Sequence, residues 1–340
     1  MNKFIILSSI LVTFISCKKE KSKEIERVNA SPLILVDSLF VDMPGSLLAY
    51  EDELIWKEHS RKDGFIHVFD KTTGKEKTSF GNFKGEMEEM ITPRITKGND
   101  RELLIYDLNS TKVLYFHLDS VLNGNNTPFN IVYIDENSGY YNLLLMNKDS
   151  YLMLGENSSK PFVFFENGEK TFMGHYPIEI SDAIDKGSVL DGALFYNLYN
   201  HSLLYTLREM SYLSLYEYDN GIIKQKWEKT FCKVNCKISR NRLRAAKPAK
   251  YTPSTITLTK DYIVTVEQDS LNVKKYPKKK EEIRKFSKAP NTLFVYDYDM
   301  NLLKIVDVDL PILRLASEGN NNEVFFIGVN PEFCIGKCIL

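Results

Sequence analysis

Four cysteines in the second half of the sequence form two pairs with the spacing C-x3-C: Cys232 with Cys236, and Cys334 with Cys338. Such thiols can form disulfides or bind zinc, but structural zinc sites usually have two residues between the ligands of at least one pair. An even number of cysteines in an oxidising compartment favours disulfides. In a continuous strand Cys334 and Cys338 lie ~13 Å apart and must pair elsewhere, whereas a turn at Gly336 allows them to pair locally. The sequence leaves the connectivity open.

Basic residues are concentrated between Lys224 and Lys288, where 19 Lys and Arg stand against six acidic residues. This segment carries +13 and the rest of the chain −14, so the whole chain has a net charge of −1. The excess falls in two stretches, 233–250 and 274–288, which are either solvated loops or a binding surface. Arginine can bracket a carboxylate or phosphate with two hydrogen bonds. The candidate ligand-binding residues are Arg240, Arg242, Arg244, Lys278, Lys279 and Lys280.

Catalytic and metal-binding patterns are otherwise weak. The five histidines show no HxH, HxxxH or HExxH spacing, and no nucleophile elbow, Walker loop or dinucleotide fingerprint occurs. Asp297, Asp299 and Asn301 begin like a calcium loop, but Leu302 and Val308 stand where such a loop needs Gly and Glu. We therefore predict no catalytic residue, no metal and no cofactor.

The first 31 residues indicate export and anchoring. Lys3 precedes an apolar stretch over 4–15, which as a helix covers ~18 Å and cannot span a ~30 Å hydrocarbon core. Ser16-Cys17 follows it as in a bacterial lipobox, so we predict a signal peptide over 1–16 and lipidation of Cys17, with an ordinary secretory signal as the alternative. Residues 17–31 are polar and predict a flexible tether, and 32–340 predict the folded domain.

The elements that position these residues are β-strands. Nearly every apolar run is short, rich in β-branched and aromatic residues, and bounded by Asn, Asp or Gly; examples are FIHVF (65–69), YIVTVE (262–267) and EVFFIGV (323–329). Alternation or full burial over five to seven residues is typical of strands. No window of comparable length shows helical periodicity, so we predict an all-β domain.

A recurring unit predicts how the strands are grouped. An apolar residue followed by an acidic residue and then a turn occurs at Asp70, Asp107, Glu166, Asp219 and Asp297. Residues 32–340 allow about 51 residues for each of six modules, near the ~40–50-residue spacing of propeller blades. We predict a six-bladed β-propeller, with a β-sandwich array as the alternative. The blades cover 42–90, 91–132, 138–180, 186–229, 253–309 and 312–340, and residues 33–41 supply the strand that the last blade lacks.

One stretch carries a family resemblance. Residues 68–95 resemble the corresponding string of TolB-like six-bladed β-propeller lipoproteins, although Glu86-Met87 replaces a frequent Gly-Pro. The resemblance implies a propeller and an anchored, extracytoplasmic location, and it implies binding or scaffolding rather than an agreed reaction. The matching positions are Asp70, Gly74, Lys75, Phe80, Gly81, Gly85, Glu89 and Pro93.

Topology connects the fold to function. In a four-stranded blade, the connections between blades and those between the second and third strands emerge on one face. The two basic stretches occupy one connection of each kind, so we expect both on one face.

The favoured function is a non-enzymatic lipoprotein of the cell envelope, predicted to lie at the outer membrane, that binds a partner protein or an anionic glycan but no nucleic acid. The alternative is a hydrolase or lyase in the central funnel, for which a cluster of histidines and carboxylates would be required.

Overall fold

The short apolar runs form antiparallel strands, as the sequence predicts. The computed structural model describes residues 25–58, 63–82, 92–108, 112–134, 140–148, 150–155, 158–231, 236–245, 253, 255–267, 286 and 289–340. In this part of the chain the only α-helix is α1 (Leu118–Leu122). None of the helices in the described ranges has the length and apolarity that a transmembrane span requires.

The first three blades follow one another along the chain, each with four strands in sequential order. Blade 1 contains β3 (Ser46–Tyr50), β4 (Glu53–Lys57), β5 (Asp63–Asp70) and β6 (Glu76–Asn82). Blade 2 contains β7 (Pro93–Lys97), β8 (Glu102–Asp107), β9 (Lys112–His117) and β10 (Asn130–Tyr133), with α1 between its last two strands. Blade 3 contains β11 (Tyr140–Asn147), β12 (Ser150–Gly155), β13 (Phe162–Glu166) and β14 (Glu169–Met173).

The last three blades differ in what is added to them. Blade 4 contains β15 (Gly192–Asn197), β16 (Ser202–Leu207), β17 (Tyr212–Asp219) and β18 (Ile222–Thr230). A separate hairpin, β19 (Cys236–Ser239) and β20 (Arg242–Ala245), follows it. Blade 5 contains β21 (Thr255–Leu258), β22 (Ile263–Glu267), β23 (Thr292–Tyr296) and β24 (Leu302–Val308), with β1 (Glu26–Ala30) at its outer edge. Blade 6 contains β25 (Ile312–Ala316), β26 (Glu323–Val329), β27 (Phe333–Ile339) and β2 (Leu33–Leu39).

The first strands of the blades form a closed ring. Each of them contacts the first strand of the blade before it and of the blade after it, in the order β3, β7, β11, β15, β21, β25 and back to β3. This arrangement confirms the predicted six-bladed propeller and the predicted division of the chain into blades. The first strands therefore enclose a central channel.

The second strand of each blade supplies the core on both of its faces. Successive side chains of a strand point to opposite sides of the sheet, so two adjacent apolar residues reach both neighbouring blades. Six buried clusters result, one at each interface between blades. This burial on both faces explains the continuous apolar runs in the sequence. The adjacent pairs are Leu54 and Ile55, Leu103 and Leu104, Leu152 and Met153, Leu203 and Leu204, Ile263 and Val264, and Val324 and Phe325.

An N-terminal strand closes the ring. β2 pairs antiparallel with β27, from Leu33 opposite Lys337 to Leu39 opposite Phe333. Blade 6 thus combines three strands from the end of the chain with one from its beginning, which covers the outer edge of β27. The predicted closure is confirmed, and the strand ends at Leu39.

The predicted tether is wrong for residues 26–30. These residues form β1, which pairs parallel with β24 at the edge of blade 5. Arg27 donates from Nε and Nη2 to the Asp307 carboxylate at 2.6 and 2.8 Å. In the segment Glu-Arg-Val-Asn-Ala only Val28 and Ala30 alternate with polar residues, which is too short a pattern to predict a strand. A distant acidic partner and a free sheet edge decide its structure.

The recurring acidic unit is a turn between the third and fourth strands, with one exception. Asp70, Glu166, Asp219 and Asp297 each lie at or just after the end of a third strand. At Asp70 the carboxylate accepts hydrogen bonds from the backbone N–H groups two and three residues on, at 3.1 and 2.8 Å. Asp107 instead ends β8, a second strand, and accepts from Thr92 N–H at 2.6 Å. The irregular spacing of the unit follows partly from this exception.

Candidate functional site

The two ends of the central channel differ in charge. All first strands begin on one side of the ring, which we call the upper face, because every blade repeats the same strand order. Connections between blades, and those between second and third strands, also lie on the upper face. Arg94 is the second residue of β7 and therefore lies towards the upper face. Arg314 is the central residue of β25, but its side chain reaches the Gly45 carbonyl just before β3 begins, so its guanidinium group also lies towards the upper face.

The channel is a cavity of about 490 Å³ with predominantly apolar walls. Its lining comes from all six first strands and includes Leu48, Tyr141, Leu194, Phe195 and Ile256. Among the described lining residues there is no histidine, and Glu318 is the one carboxylate. The cluster of histidines and carboxylates that a hydrolase or lyase would require is therefore not present in this part of the wall.

Arg94 and Arg314 are the two arginines among the described residues of the channel wall. Both side chains are exposed to solvent, and both line the cavity. Arg314 donates from Nε to the Gly45 carbonyl at 2.9 Å and from Nη1 to the Leu313 carbonyl at 2.8 Å. The ring walls shield Arg314 partly from solvent, and this shielding, followed by the positive charges of Arg208 and Arg94, lowers the pKa of Arg314. The side chain of Arg94 makes no hydrogen bond or ion pair to any residue in the described ranges.

A buried lysine adds to this positive charge. Lys57, the last residue of β4, is 5% exposed. Burial, and then the charge of Arg94, lower the pKa of Lys57 to about 8. Lys57 likewise has no ion pair to a described acidic residue. Like charges held close together favour the binding of an anion that neutralises them.

The charged groups at the lower end of the channel have partners within the protein. The Glu318 carboxylate accepts from Lys71 Nζ at 2.8 Å and from the Tyr199 hydroxyl at 3.0 Å. Lys97 Nζ donates to the carbonyls of Ser317 and Glu318 at 3.3 and 3.0 Å. Burial lowers the pKa of Lys97 to about 8, against the attraction of Glu318. These groups satisfy one another and hold the first strands of blades 2 and 6 together.

The first predicted basic stretch contains the β19–β20 hairpin. Arg240 and Asn241 form its two-residue turn with φ values of 51° and 58°, which is typical of a type I′ hairpin turn. Leu243 is 4% exposed and packs into the cluster between blades 3 and 4. The hairpin is thus a folded element fixed to the ring, not a loop.

The three predicted arginines of this hairpin differ in their partners. Arg242 Nε lies 3.2 Å from the Asp185 carboxylate. Arg240 and Arg244 are exposed and have no hydrogen-bonding or ion-pair partner among the described residues, and Lys237 beside them is exposed as well. Arg240, Arg244 and Lys237 are therefore the residues of the hairpin that are available to a ligand.

The hairpin and the channel mouth belong to the same face. Cys236 Sγ lies 3.5 Å from Met210 Sδ, in the 3-10 turn Arg208–Met210 between the second and third strands of blade 4. Arg208, in that turn, is close enough to Arg314 to lower its pKa. Lys278, Lys279 and Lys280 lie outside the described residues. Their segment connects β22 to β23, the second and third strands of blade 5, so its ends lie on the upper face too.

The described cysteines are free thiols. Cys334 and Cys338 lie on the continuous strand β27, both buried against the cluster between blades 5 and 6. Four residues of strand separate them by ~13 Å, so they cannot pair with each other. Cys236 packs instead at blade 4, and burial raises its pKa. None of the predicted disulfides is formed among these three, and Cys232 and the predicted lipidation site Cys17 lie outside the described residues.

The calcium-like triplet is a turn. The Asp297 carboxylate accepts from the backbone N–H groups of Asp299 and Asn301 at 3.0 and 2.8 Å and from Asn301 Nδ2 at 2.9 Å. Although burial alone would raise it, these hydrogen bonds lower the pKa of Asp297. Within the described ranges, no three His, Cys, Asp or Glu residues are grouped as metal ligands.

Sequence reasoning missed the charged residues of the channel. Arg94, Lys97 and Arg314 each belong to a short strand that begins a blade, and the neighbours of Arg94 and Arg314 in the chain are apolar. A charged residue within the first strand of a blade is a signal that could have found them. Their convergence could not be read from the sequence, because 220 positions separate Arg94 from Arg314.

Comparison with known proteins supports the fold. No family model matches this sequence, and no curated protein matches it. Among solved structures, a candidate exported protein from Bacteroides fragilis is 10% identical, with a TM-score of 0.57 over 93% of this chain and 99% of that one. A DUF4221-family member from Bacteroides vulgatus is 11% identical, with a TM-score of 0.56 over 92% and 96%. The calcium-binding protein regucalcin from Agrobacterium tumefaciens is 8% identical, with a TM-score of 0.53 over 92% and 94%.

At such low identity these similarities show the six-bladed propeller fold alone. They confirm the fold that the TolB-like resemblance implies, but none of them names that family. Two of the three similar proteins come from Bacteroides, and one is described as a candidate for export.

Proposed function

We propose that this protein is a non-enzymatic propeller lipoprotein of the cell envelope whose upper face binds an anionic glycan. The observation that supports this function most directly is the exposed basic hairpin beside a channel mouth that also carries Arg94 and Arg314. Lys237, Arg240 and Arg244 project from a folded element, so their charges keep a fixed arrangement. Long-range attraction to such a surface concentrates anionic ligands.

A chromatographic experiment tests this function. The triple variant Lys237→Glu, Arg240→Glu, Arg244→Glu should lose retention on a column of an anionic polysaccharide such as heparin. A matched control reverses three exposed lysines in connections on the opposite face: Lys75, Lys148 and Lys260. A further variant reverses Lys278, Lys279 and Lys280, which we expect to weaken retention as well.

Salt provides the second readout. The retention of the wild-type protein should fall steeply with ionic strength, because the Debye length decreases from ~10 Å at 0.1 M to ~3 Å at 1 M. Equal loss of retention in the control variant would show that net charge, not this face, is responsible. Absence of salt-sensitive retention on every polyanion would overturn the proposal. Retention of a partner protein instead of the glycan would assign the face to protein binding.

We also propose that Cys17 carries a lipid that anchors the protein in the outer membrane. The apolar segment 4–15 ending at Ser16-Cys17 supports this, and the exported Bacteroides relative agrees with an extracytoplasmic location. Because β1 begins at Glu26, the segment between the lipid and the folded domain is residues 18–25. Cys17→Ser should move the protein from the membrane fraction to the soluble fraction or leave it unprocessed. A processed variant that still partitions with membranes would disprove lipid anchoring.

A further inference from the structure

The central channel has the size and the walls of a small-molecule site. Its volume of about 490 Å³ falls within the ~300–1,000 Å³ that is typical of ligand pockets. Apolar side chains such as Leu48, Leu194 and Phe195 form the middle of the wall. A ligand with an apolar body therefore fits the channel better than a fully polar sugar.

The charged groups are placed at one end of this apolar wall. Arg94 on β7 and Arg314 on β25 lie on either side of β3, the strand between them in the ring. The two hydrogen bonds of Arg314 use Nε and Nη1, so Nη2 is not engaged by any described residue. Arg94 has its whole guanidinium group available. Two such groups can hold a planar carboxylate or a phosphate with several charge-assisted hydrogen bonds.

The surroundings of the two arginines favour an anion rather than an internal partner. Lys57 lies buried behind Arg94 and adds a third positive charge. Two acidic residues on this side, Asp191 and Glu209, line an adjoining recess of about 340 Å³ with Arg208, beyond the channel wall at Phe195 and Ile256. At the lower end, Glu318 already binds Lys71 and Tyr199. An anion entering the channel would therefore bind at the upper end.

We propose that the central channel binds a small amphiphilic anion, with its carboxylate or phosphate held between Arg94 and Arg314 and its apolar chain along the channel wall. This site is independent of the hairpin on which the proposed glycan binding rests. The ligand differs from a glycan because the apolar wall, and not only the charge, contributes to its recognition.

Calorimetric titration with decanoate and decyl phosphate below their micellar concentrations tests this site. We expect the wild-type protein to bind at least one of them, and the tighter ligand identifies the head group. Acetate, which has the head without the chain, and decanol, which has the chain without the charge, should each bind at least tenfold more weakly. Equal affinity for decanol and decanoate would overturn the proposal, as would absence of binding to both anions.

Variants separate this site from the hairpin. Arg94→Gln combined with Arg314→Gln should weaken binding of the preferred anion by tenfold to a hundredfold or more, because hydrogen bonds to charged groups are lost. Arg240→Gln combined with Arg244→Gln should leave that affinity unchanged while reducing retention on the anionic polysaccharide. Unchanged affinity in the channel variant, or an equal loss in the hairpin variant, would overturn the channel site.

A blocking variant tests whether the chain enters the channel. Thr96 lies two residues after Arg94 and on the same side of β7, and it lines the cavity. Thr96→Trp should reduce the affinity for the ten-carbon anion at least tenfold, and its far-ultraviolet circular dichroism should match that of the wild type. An unchanged affinity in this folded variant would show that the chain does not occupy the channel, which would contradict the proposal.

Discussion

Some charged residues near the channel lower the stability of the folded protein, and Lys57 is the clearest example. Its ammonium group is buried beside Arg94, and the pKa falls from 10.5 to about 8. The folded state therefore binds the proton of Lys57 less tightly than the unfolded state does. In a site that binds an anion, the negative charge of the ligand would offset the unfavourable positive charge of Lys57.

The first prediction concerns Lys57→Met. Below pH 8 the charged lysine destabilises the folded state, so the variant should raise the free energy of unfolding at pH 7 by about 1–3 kcal/mol. Between about pH 8 and 10.5 the unfolded state retains the proton that the folded state has lost, so this destabilisation disappears as pH rises. Urea unfolding at pH 7 and pH 10 measures the difference between variant and wild type.

The control for this prediction is Lys148→Met, which changes an exposed lysine and should alter stability by less than about 0.5 kcal/mol. A Lys57→Met variant that is less stable than the wild type at pH 7 would show that the ammonium group is stabilised by its surroundings. That result would contradict a destabilising effect of the buried charge beside Arg94.

The second prediction concerns the turn at Asp297. Because its carboxylate accepts three hydrogen bonds within the turn, we expect Asp297→Ala to lower the free energy of unfolding by about 1–2 kcal/mol. For the same reason, millimolar CaCl₂ should not change the Tm of the wild-type protein relative to MgCl₂. A calcium-specific rise in Tm that is absent in Asp297→Ala would contradict this prediction and show that calcium binds at the turn.

At the scale of elements, β1 is the part of the fold that the local sequence does not indicate. Its edge pairing with β24 and the Arg27–Asp307 pair give it a fixed position. Asp307 also accepts from the Thr292 hydroxyl at 3.0 Å. The N-terminal segment therefore connects two blades, since β1 joins blade 5 and β2 completes blade 6.

The third prediction compares two truncations. A protein that begins at residue 32 lacks β1 and should lose about 1–2 kcal/mol of unfolding free energy, because a partly exposed charge-assisted pair and an edge strand are removed. A protein that begins at residue 25 keeps β1 and should be as stable as the longer chain. Urea unfolding measures both, and Arg27→Gln should reproduce part of the loss. Equal stability of the two truncations would mean that β1 contributes nothing.

At the scale of the whole molecule, the closed ring couples distant blades. Each blade interface contains one buried cluster, and β2 joins the two ends of the chain.

The two tryptophans lie in different parts of this ring. Trp56 lies in blade 1 and donates to the Pro44 carbonyl at 2.9 Å. Trp227 lies in blade 4 and donates to the Tyr298 carbonyl of blade 5 at 2.7 Å.

The fourth prediction uses these tryptophans as local probes. The variants Trp56→Phe and Trp227→Phe leave one tryptophan each. In each variant, fluorescence should give the same urea midpoint as circular dichroism, because opening one blade exposes both neighbouring clusters. Midpoints that differ between the two probes within one variant would show that the blades unfold separately.

Most of the strands, the number of blades and the closing strand could be predicted from the sequence alone. These features depend on local patterns: adjacent apolar pairs such as Leu203 and Leu204 require burial on both faces, and residues such as Asp70 and Asp219 favour turns. Because Arg240, Arg242 and Arg244 lie close together in the chain, the sequence also identified the basic stretch 233–250, although not the hairpin within it. Local side-chain chemistry is sufficient for such features.

Which residues meet at the channel, in contrast, depends on how the blades are arranged in space. Arg94 and Arg314 come from blades 2 and 6 and converge because the ring closes. Arg27 finds Asp307 because β1 lies at the edge of blade 5. The free thiols of Cys334 and Cys338 follow from a strand that continues through Gly336. In each case the contact joins segments whose distance depends on the arrangement of whole blades, or on a backbone conformation that neighbouring strands impose.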